Sequence, residues 1–174
     1  MGVAGWLQAI AIGRHPKQTL VRLALLIGLA TVAFLVFSFI LFPVQITGPS
    51  MSPNYRNGEI NFINRLAYLR QEPQRGDVVG VRFSGVHLMY VKRIVALPGE
   101  SIAFSHGHIY INGERLAEPY LTFPSHDWES PPRQLGPQEY YVVGDNRSMS
   151  FANHEKGAAE RRRIIGRILL RGNS

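Results

Sequence analysis

The sequence predicts a mainly β protein, with an antiparallel, barrel-like β domain behind one N-terminal transmembrane helix. Two observations predict this fold class. Residues 23–42 form an apolar run without a single charged side chain. Beyond Pro43 the chain consists of short segments rich in Val, Ile, Tyr and Phe, separated by turn signals. Because 45% of the 174 residues are hydrophobic, a sizeable core remains possible once the helix is set aside.

The apolar run is long enough to cross a bilayer. It reads LALLIGLATVAFLVFSFILF, and twenty residues at helical rise match the hydrocarbon thickness. A cleavable signal peptide would have a shorter apolar region ending in small residues, whereas this run ends in Leu41 and Phe42 before Pro43. A core helix that is apolar on every side would be rare in so small a domain. The run therefore predicts a membrane anchor.

Basic residues set the predicted orientation of the anchor. Arg14, Lys17 and Arg22 precede the run, and no acidic residue stands before it. The positive-inside rule then leaves the N-terminus in the cytoplasm. The sequence thus predicts a single-pass protein of the cytoplasmic (inner) membrane. Its parts are a cytoplasmic segment 1–19, a transmembrane anchor 20–42 and an extracytoplasmic β domain 43–174.

Charge and composition exclude several classes of function. Much of the surplus behind the net charge of +7 sits at the two ends, in the N-terminal flank and in ERRRIIGRILLRG. Neither end has a nucleic-acid-binding motif, so we expect membrane lipid and no nucleic acid as a partner. The chain has no cysteine, which excludes a thiol nucleophile. The histidines lack metal-ligand spacing beyond His106 and His108, so we expect no metal and no cofactor.

Seven segments of the β domain have the composition of strands. Turn signals stand at Asn57-Gly58, Pro98-Gly99 and Asn112-Gly113. The proline-rich stretch 123–138 predicts a loop, and 65–70 predicts a single helical turn. The predicted strands are 59–64, 77–83, 87–97, 101–104, 108–113, 139–145 and 163–171.

Ser50 and Lys92 are the residues that point to chemistry. Ser50 stands between Pro49 and Met51 in a loop stiffened by a second proline, Pro53, shortly after the anchor. Lys92 stands inside the apolar segment HLMYVKRIVAL. Burial among apolar neighbours would disfavour the charged form of its amine. A neutral amine can take a proton from a serine hydroxyl, as a serine–lysine dyad requires.

Three ordered motifs resemble the type I signal peptidases, membrane-anchored serine proteases that remove signal peptides from exported proteins. GPSMSPNY resembles the nucleophile box of that family. RGDVVGVRF and YVKRIVALPGE resemble the box with the lysine base, and GDNRSMS resembles the third box. The resemblance covers residues 44–170, behind the anchor. It implies Ser50 as nucleophile, Lys92 as general base and Ser150 as the serine that orients the lysine.

The resemblance also implies shallow apolar pockets for small substrate residues beside the cleavage site. A preference for small residues at the first and third positions before the cut needs apolar pockets with a shallow floor. Ordinary core packing is the alternative for these positions, above all for Val44 and Tyr55. The implied pocket residues are Val44, Ile46, Met51, Tyr55 and Val91.

Two departures from the family pattern leave questions open. Gly48 stands where many members have an oxyanion-donating serine, so the backbone N–H of Ser50 must do most of this work. Residues 152–154 read Ala-Asn-His where the family usually has Asp-Ser-Arg. Asp145 then pairs with either Arg93 or Arg147. We expect His154, in the polar stretch NHEKG, to be exposed and to titrate as an ordinary histidine.

The leading hypothesis is a membrane-anchored serine endopeptidase that removes N-terminal signal peptides from exported preproteins with a Ser/Lys dyad. One alternative narrows the substrate to a dedicated client, such as a pilin or a conjugation protein. The other is an inactive β domain that binds signal sequences. The absence of the family's Asp and Arg after Ser150 supports this second alternative. The presence of both Ser50 and Lys92 argues against it.

Overall fold

The computed structural model describes residues 16–82, 89–125 and 127–169. The chain divides into two compact units, residues 1–39 and residues 40–174. The predicted segment 1–19 thus lies mostly outside the described residues, as do the ends of three predicted strands at 83, 87–88 and 170–171.

The described part of the first unit, from residue 16 onwards, is helical. The α-helix α1 spans Pro16–Leu35 and continues as a π-helical turn, Val36–Ile40. Leu25 and Leu29 are each 67% exposed, and the other side chains of α1 are exposed as well, apart from half-buried Thr19. By length and composition the segment Pro16–Ile40 can cross a membrane, with a mean hydropathy of 2.7 over its best window. The last two residues of the predicted span, Leu41 and Phe42, belong to the first β-strand.

In the second unit, the described residues form two antiparallel sheets, which confirms the predicted fold class. The seven-stranded sheet has the order β1-β2-β11-β3-β4-β9-β10, and the four-stranded sheet has the order β7-β6-β5-β8. The strands are β1 Leu41–Gln45, β2 Ile60–Asn64, β3 Val78–Val81, β4 Tyr90–Ala96, β5 Ser101–Ser105, β6 His108–Ile111, β7 Glu114–Arg115, β8 Ser130–Gln134, β9 Glu139–Val143, β10 Gly157–Glu160 and β11 Ile164–Ile168. Two short 3-10 helices lie at Phe151–Asn153 and Arg161–Arg163.

Strand β8 corrects one expectation, because it lies within the stretch 123–138 that the sequence predicts to be a loop. It contains Pro131 and Pro132, which have no N–H to donate. It nevertheless pairs with β5 because it is an edge strand of the four-stranded sheet, where one side of the strand needs no partner. Sequence reasoning also missed β1, β7 and β10. The predicted helical turn at 65–70 is a hydrogen-bonded turn, in which Leu69 N–H donates to the Leu66 carbonyl at 3.2 Å.

The strands β3, β4 and β9 are central in the larger sheet and position the polar residues of interest. Lys92 on β4 is paired with Val79, and Arg93 is paired with Val143 at the end of β9. The turn that follows β9 therefore begins beside the middle of β4. Apolar side chains of these strands fill the core on both sides, and Val79, Ile94 and Val142 are all 0% exposed.

Candidate active site

Ser50 lies in the loop between β1 and β2, and the turn after β9 holds this loop. The Asn146 backbone N–H donates to the Ser50 carbonyl at 2.9 Å. The Asn146 side-chain amide donates to the neighbouring Pro49 carbonyl at 3.1 Å. Ser50 itself is only half-buried, so its side chain stays accessible. These contacts fix the backbone of Ser50 before any substrate arrives.

Lys92 reaches Ser50 from β4. The Lys92 Nζ atom lies 2.8 Å from Ser50 Oγ, and the residue is 1% exposed. Burial lowers the pKa of the Lys92 amine below its ordinary value, although the Glu155 and Asp145 carboxylates act in the opposite direction. The amine therefore loses its proton more readily than an exposed lysine does. A neutral amine at this distance can accept the proton of the Ser50 hydroxyl.

Glu155 is a neighbour of Lys92 that sequence reasoning missed. Its Oε2 atom lies 3.5 Å from Lys92 Nζ, and its side chain is 48% exposed. It stands in the short polar stretch NHEKG, where nothing distinguishes it from a solvated surface carboxylate. No pattern in the sequence could have found it.

The structure does not bring Ser150 to Lys92. Ser150 is exposed, and its hydroxyl makes no hydrogen bond within the described part of the chain. Only its carbonyl is engaged, accepting from the Asn153 N–H at 3.1 Å. The orienting role that the family resemblance implies for Ser150 stays a prediction.

Of the two candidate partners, Arg93 and Arg147, it is Arg93 that pairs with Asp145. The Arg93 guanidinium donates to both carboxylate oxygens, at 2.7 and 2.6 Å. The Asn54 amide adds a third hydrogen bond at 2.8 Å, so the fully buried Asp145 is well satisfied. Arg147, also fully buried, forms an ion pair with Glu118 instead.

His154 is buried, which corrects the prediction of an exposed histidine. It is 3% exposed, because its ring packs edge-on against Trp128 with 4.9 Å between centroids. Its Nε2 atom accepts a hydrogen bond from the Gly144 N–H at 2.9 Å. Burial, with a smaller contribution from the positive charge of Lys92, lowers the pKa of His154 to about 3. The imidazole makes no hydrogen bond to Ser50 in the described residues.

Two glycines near Ser50 stand where another residue would be unfavourable, one for lack of space and one for its backbone conformation. A Cβ atom on Gly144 would stand 2.2 Å from the Ser50 carbonyl oxygen and 2.7 Å from His154 Nε2. Gly48 has a φ of 90°, a conformation that favours glycine, and its N–H donates to Asn57 Oδ1 at 2.9 Å. The N–H of Ser50 itself makes no hydrogen bond among the residues the structure describes.

The five predicted pocket residues lie together in one apolar cluster, which includes Met51, the residue that follows Ser50 in the chain. Four of them are buried, and Val44 is half-buried at the margin. The cluster consists of Ile46, Met51, Tyr55, Ile63, Val78, Val91 and Ile168, with Val44, Met89 and Ile165 packed against it. This arrangement is compatible with a pocket floor and with core packing, so the pocket assignment stays a prediction.

The comparison with known families assigns the chain. The sequence model of the family described as signal peptidase, peptidase S26, matches residues 18–172. The chain belongs to this family. The assignment confirms the predicted resemblance and the predicted enzyme class, a serine endopeptidase.

Curated members of the family resemble the chain over most of its length. Signal peptidase I S of Bacillus subtilis is 33% identical over 86% of this chain and 87% of its own length. Signal peptidase IB of Staphylococcus aureus is 30% identical over 89% of this chain and 90% of its own length. The probable signal peptidase I-2 of Synechocystis is 31% identical over 72% of this chain, a match that spans 60% of that relative.

Proposed function

We propose that this chain is a membrane-anchored serine endopeptidase that removes N-terminal signal peptides from exported preproteins, with Ser50 as nucleophile and Lys92 as general base. Family membership supports the substrate class. The observation that carries the catalytic assignment is the 2.8 Å distance between Lys92 Nζ and Ser50 Oγ in a site where the lysine is 1% exposed. A buried amine beside a half-buried hydroxyl is costly for a structural lysine and useful for a base.

The proposed reaction begins with the neutral Lys92 amine. Ser50 Oγ attacks the scissile carbonyl carbon while its proton moves to Lys92 Nζ, which gives a tetrahedral oxyanion and a lysine ammonium. Lys92 then returns this proton to the leaving amine as the C–N bond breaks, leaving an acyl ester on Ser50. Water, deprotonated by the same amine, attacks the ester, and the ammonium protonates Ser50 as the signal peptide leaves.

The oxyanion needs donors that are in place before the reaction. The Ser50 N–H supports this role, since it makes no hydrogen bond in the described ranges and Gly48 offers no side-chain donor. The Asn146 hydrogen bonds to the loop hold this N–H in a fixed direction. In acyl-transfer enzymes, preorganised donors of this kind lower the free energy of the transition state by several kcal/mol.

The segment Pro16–Ile40 supplies the proposed anchor. Its exposed leucines, such as Leu25 and Leu29, are costly in water and suited to lipid. With the basic residues Lys17 and Arg22 at its N-terminal end, we place the N-terminus inside and the β domain outside the cytoplasmic membrane. Tethering the site to the bilayer raises the local concentration of membrane-bound preprotein.

The proposal is tested with the full chain in detergent and a purified preprotein. Wild type should release the mature protein at one site, identified by N-terminal sequencing, and Ser50→Ala should release none. The mature protein without its signal peptide is the substrate control and should stay uncut. Equal cleavage by wild type and Ser50→Ala would refute the nucleophile assignment.

A further inference from the structure

The Lys92 amine lies between two oxygen-bearing groups. Ser50 Oγ lies 2.8 Å from Nζ, and Glu155 Oε2 lies 3.5 Å from the same atom. The serine hydroxyl accounts for the first contact in the proposed reaction. Nothing in that reaction uses the second contact, although it brings a carboxylate to a lysine that is 1% exposed.

The chain on both sides of Glu155 is anchored, so the position of this half-exposed carboxylate is defined. On one side, His154 is buried and accepts the Gly144 N–H. On the other side, Lys156 Nζ donates to the carbonyls of Phe151 and His154 and lies over the Phe151 ring, 3.5 Å from its centroid. Glu155 is therefore held against Lys92 by its neighbours as well as by its own charge.

The other titratable groups near Lys92 are bonded to different partners or are uncharged. Asp145 faces Lys92 from the turn after β9, but its oxygens accept from Arg93 and Asn54. His154 is kept neutral by burial. The Tyr90 ring lies beside the amine, with its centroid 5.8 Å from Nζ. Glu155 is thus the carboxylate whose charge acts most strongly on the amine.

The chemical role of a carboxylate here follows from the N–H bonds and the lone pair of the Lys92 amine. A neutral amine has two N–H bonds and one lone pair. If one N–H donates to Glu155, the lone pair is left to face Ser50. When the amine accepts the serine proton it becomes an ammonium in a buried site, and an adjacent negative charge lowers the free energy of that state.

We propose that Glu155 is a positioning residue for Lys92, which aims the amine at Ser50 and stabilises the ammonium formed when the serine proton is transferred. This inference rests on the proposed function. It gives Glu155 the place beside the lysine that the family resemblance implies for Ser150. The group that orients Lys92 in this chain is therefore the carboxylate of Glu155 and not the hydroxyl of Ser150.

The pH dependence of the rate distinguishes this role from a merely structural one. The base must be neutral, so kcat/KM rises as the pH rises through the pKa of Lys92. Glu155 raises that pKa against the effect of burial. The part of the pH–rate profile in which kcat/KM rises with pH is the ascending limb. Removal of the Glu155 charge should therefore move this limb to lower pH, while the maximal rate falls. A variant that only loosens the fold would lower the rate without this shift.

The experiment measures kcat and KM for a preprotein from pH 5 to 10 with the full chain in detergent. Glu155→Gln should lower kcat by about tenfold, less than the ~100-fold typical for loss of a general base, with KM little changed and the limb at lower pH. Glu155→Asp, which keeps the charge, should keep the limb near its wild-type position. The matched control is Glu160→Gln, because Glu160 is 44% exposed and ion-paired with Arg162. It should behave as wild type.

Two results would overturn the inference. One is a Glu155→Gln variant whose limb stays in place or moves to higher pH. The other is a Ser150→Ala variant that shifts the limb while Glu155→Gln does not. In either case, inactive Ser50→Ala and Lys92→Ala variants would leave the proposed function standing, whereas activity in those two variants would refute the function itself. Thermal melts of each variant show that the comparison is made on folded protein.

Discussion

The Nε2 atom of His154 accepts a hydrogen bond from the backbone N–H of Gly144 at 2.9 Å. An acceptor nitrogen carries no proton, so the imidazole is neutral and its proton is on Nδ1. Gly144 in turn lies against the Ser50 carbonyl, at a distance that leaves no room for a Cβ atom. His154 therefore supports the loop of the nucleophile through Gly144, and in the described residues it makes no hydrogen bond to the Ser50 hydroxyl.

The burial of His154 predicts that the protein loses stability in mild acid. The unfolded chain takes up a proton near the ordinary histidine pKa of 6.5, whereas the folded chain does so only at about 3. Between these values the unfolded state binds more protons, so the free energy of unfolding falls as the pH falls. His154 contributes up to about 1.4 kcal/mol per pH unit to the slope of the free energy of unfolding against pH. Urea unfolding at a series of pH values measures it.

The matched variants for this measurement are His154→Leu and His106→Asn. His154→Leu should lower stability at pH 7, because the Gly144 N–H loses its acceptor, and should flatten the slope below pH 6.5. His106 has an 89% exposed side chain, so His106→Asn should leave the slope unchanged. Identical slopes for wild type and His154→Leu would show that the imidazole is not held neutral.

Gly144→Ala tests the close approach of two loops. The added Cβ would stand 2.2 Å from the Ser50 carbonyl oxygen, a backbone atom that cannot swing aside. Ser50 must then shift relative to Lys92, and a displacement of about 1 Å can cost ~100-fold in rate. We expect kcat to fall by about that factor while the protein stays folded, as followed by preprotein cleavage and circular dichroism. Gly136→Ala is the control, because its Cβ would meet only the Glu139 side chain, at 3.5 Å, and activity should be kept.

Local patterns in the sequence predicted seven of the eleven described strands and the long apolar helix, because alternation and apolar length are properties of short segments. The fold class and the family followed from these patterns and from the ordered motifs. Edge strand β8 was missed because its prolines are permitted only by its position in the sheet. That position depends on pairing with β5, which lies about thirty residues away in the chain.

The environment of His154 could not be predicted for a similar reason. Its burial depends on Trp128 and on the Gly144 N–H, both distant from it in sequence. A polar stretch such as NHEKG has the composition of a solvated loop whichever way its histidine turns. The partner of Asp145 likewise depends on the pairing of β4 with β9, which sets Arg93 opposite Val143.

The pocket assignment predicts a strict preference for small residues just before the cut. With Ile46, Met51 and Val91 buried beside Ser50, a side chain larger than alanine at the first position has little room. Wild type should therefore cleave an alanine substrate much faster than a phenylalanine substrate. Val91→Ala should reduce the ratio of the two kcat/KM values by about tenfold. Val95→Ala removes the same atoms from another core cluster and should leave the ratio unchanged. Equal turnover of both substrates by wild type would rule out the pocket.

The proposed anchor predicts which side of the membrane each end occupies. A reporter enzyme that is active only outside the cytoplasm should be active when fused after Ser174 and silent when fused before Met1. The physical reason is the placement of Arg14, Lys17 and Arg22 before the apolar run. Activity of the N-terminal fusion with silence of the C-terminal one would reverse the proposed orientation.

The measurement that tests the central claim most directly is the rate of preprotein cleavage by Ser50→Ala, Lys92→Ala and the double variant, under single-turnover conditions. If Lys92 acts only by deprotonating Ser50, each single variant should lose ~100-fold or more, and the double variant should be no slower than the slower single variant. Ser52→Ala, which changes a nearby serine outside the pair, should cleave at the wild-type rate. A Lys92→Ala variant within tenfold of wild type, or a double variant whose loss is the product of the two single losses, would contradict a serine–lysine dyad.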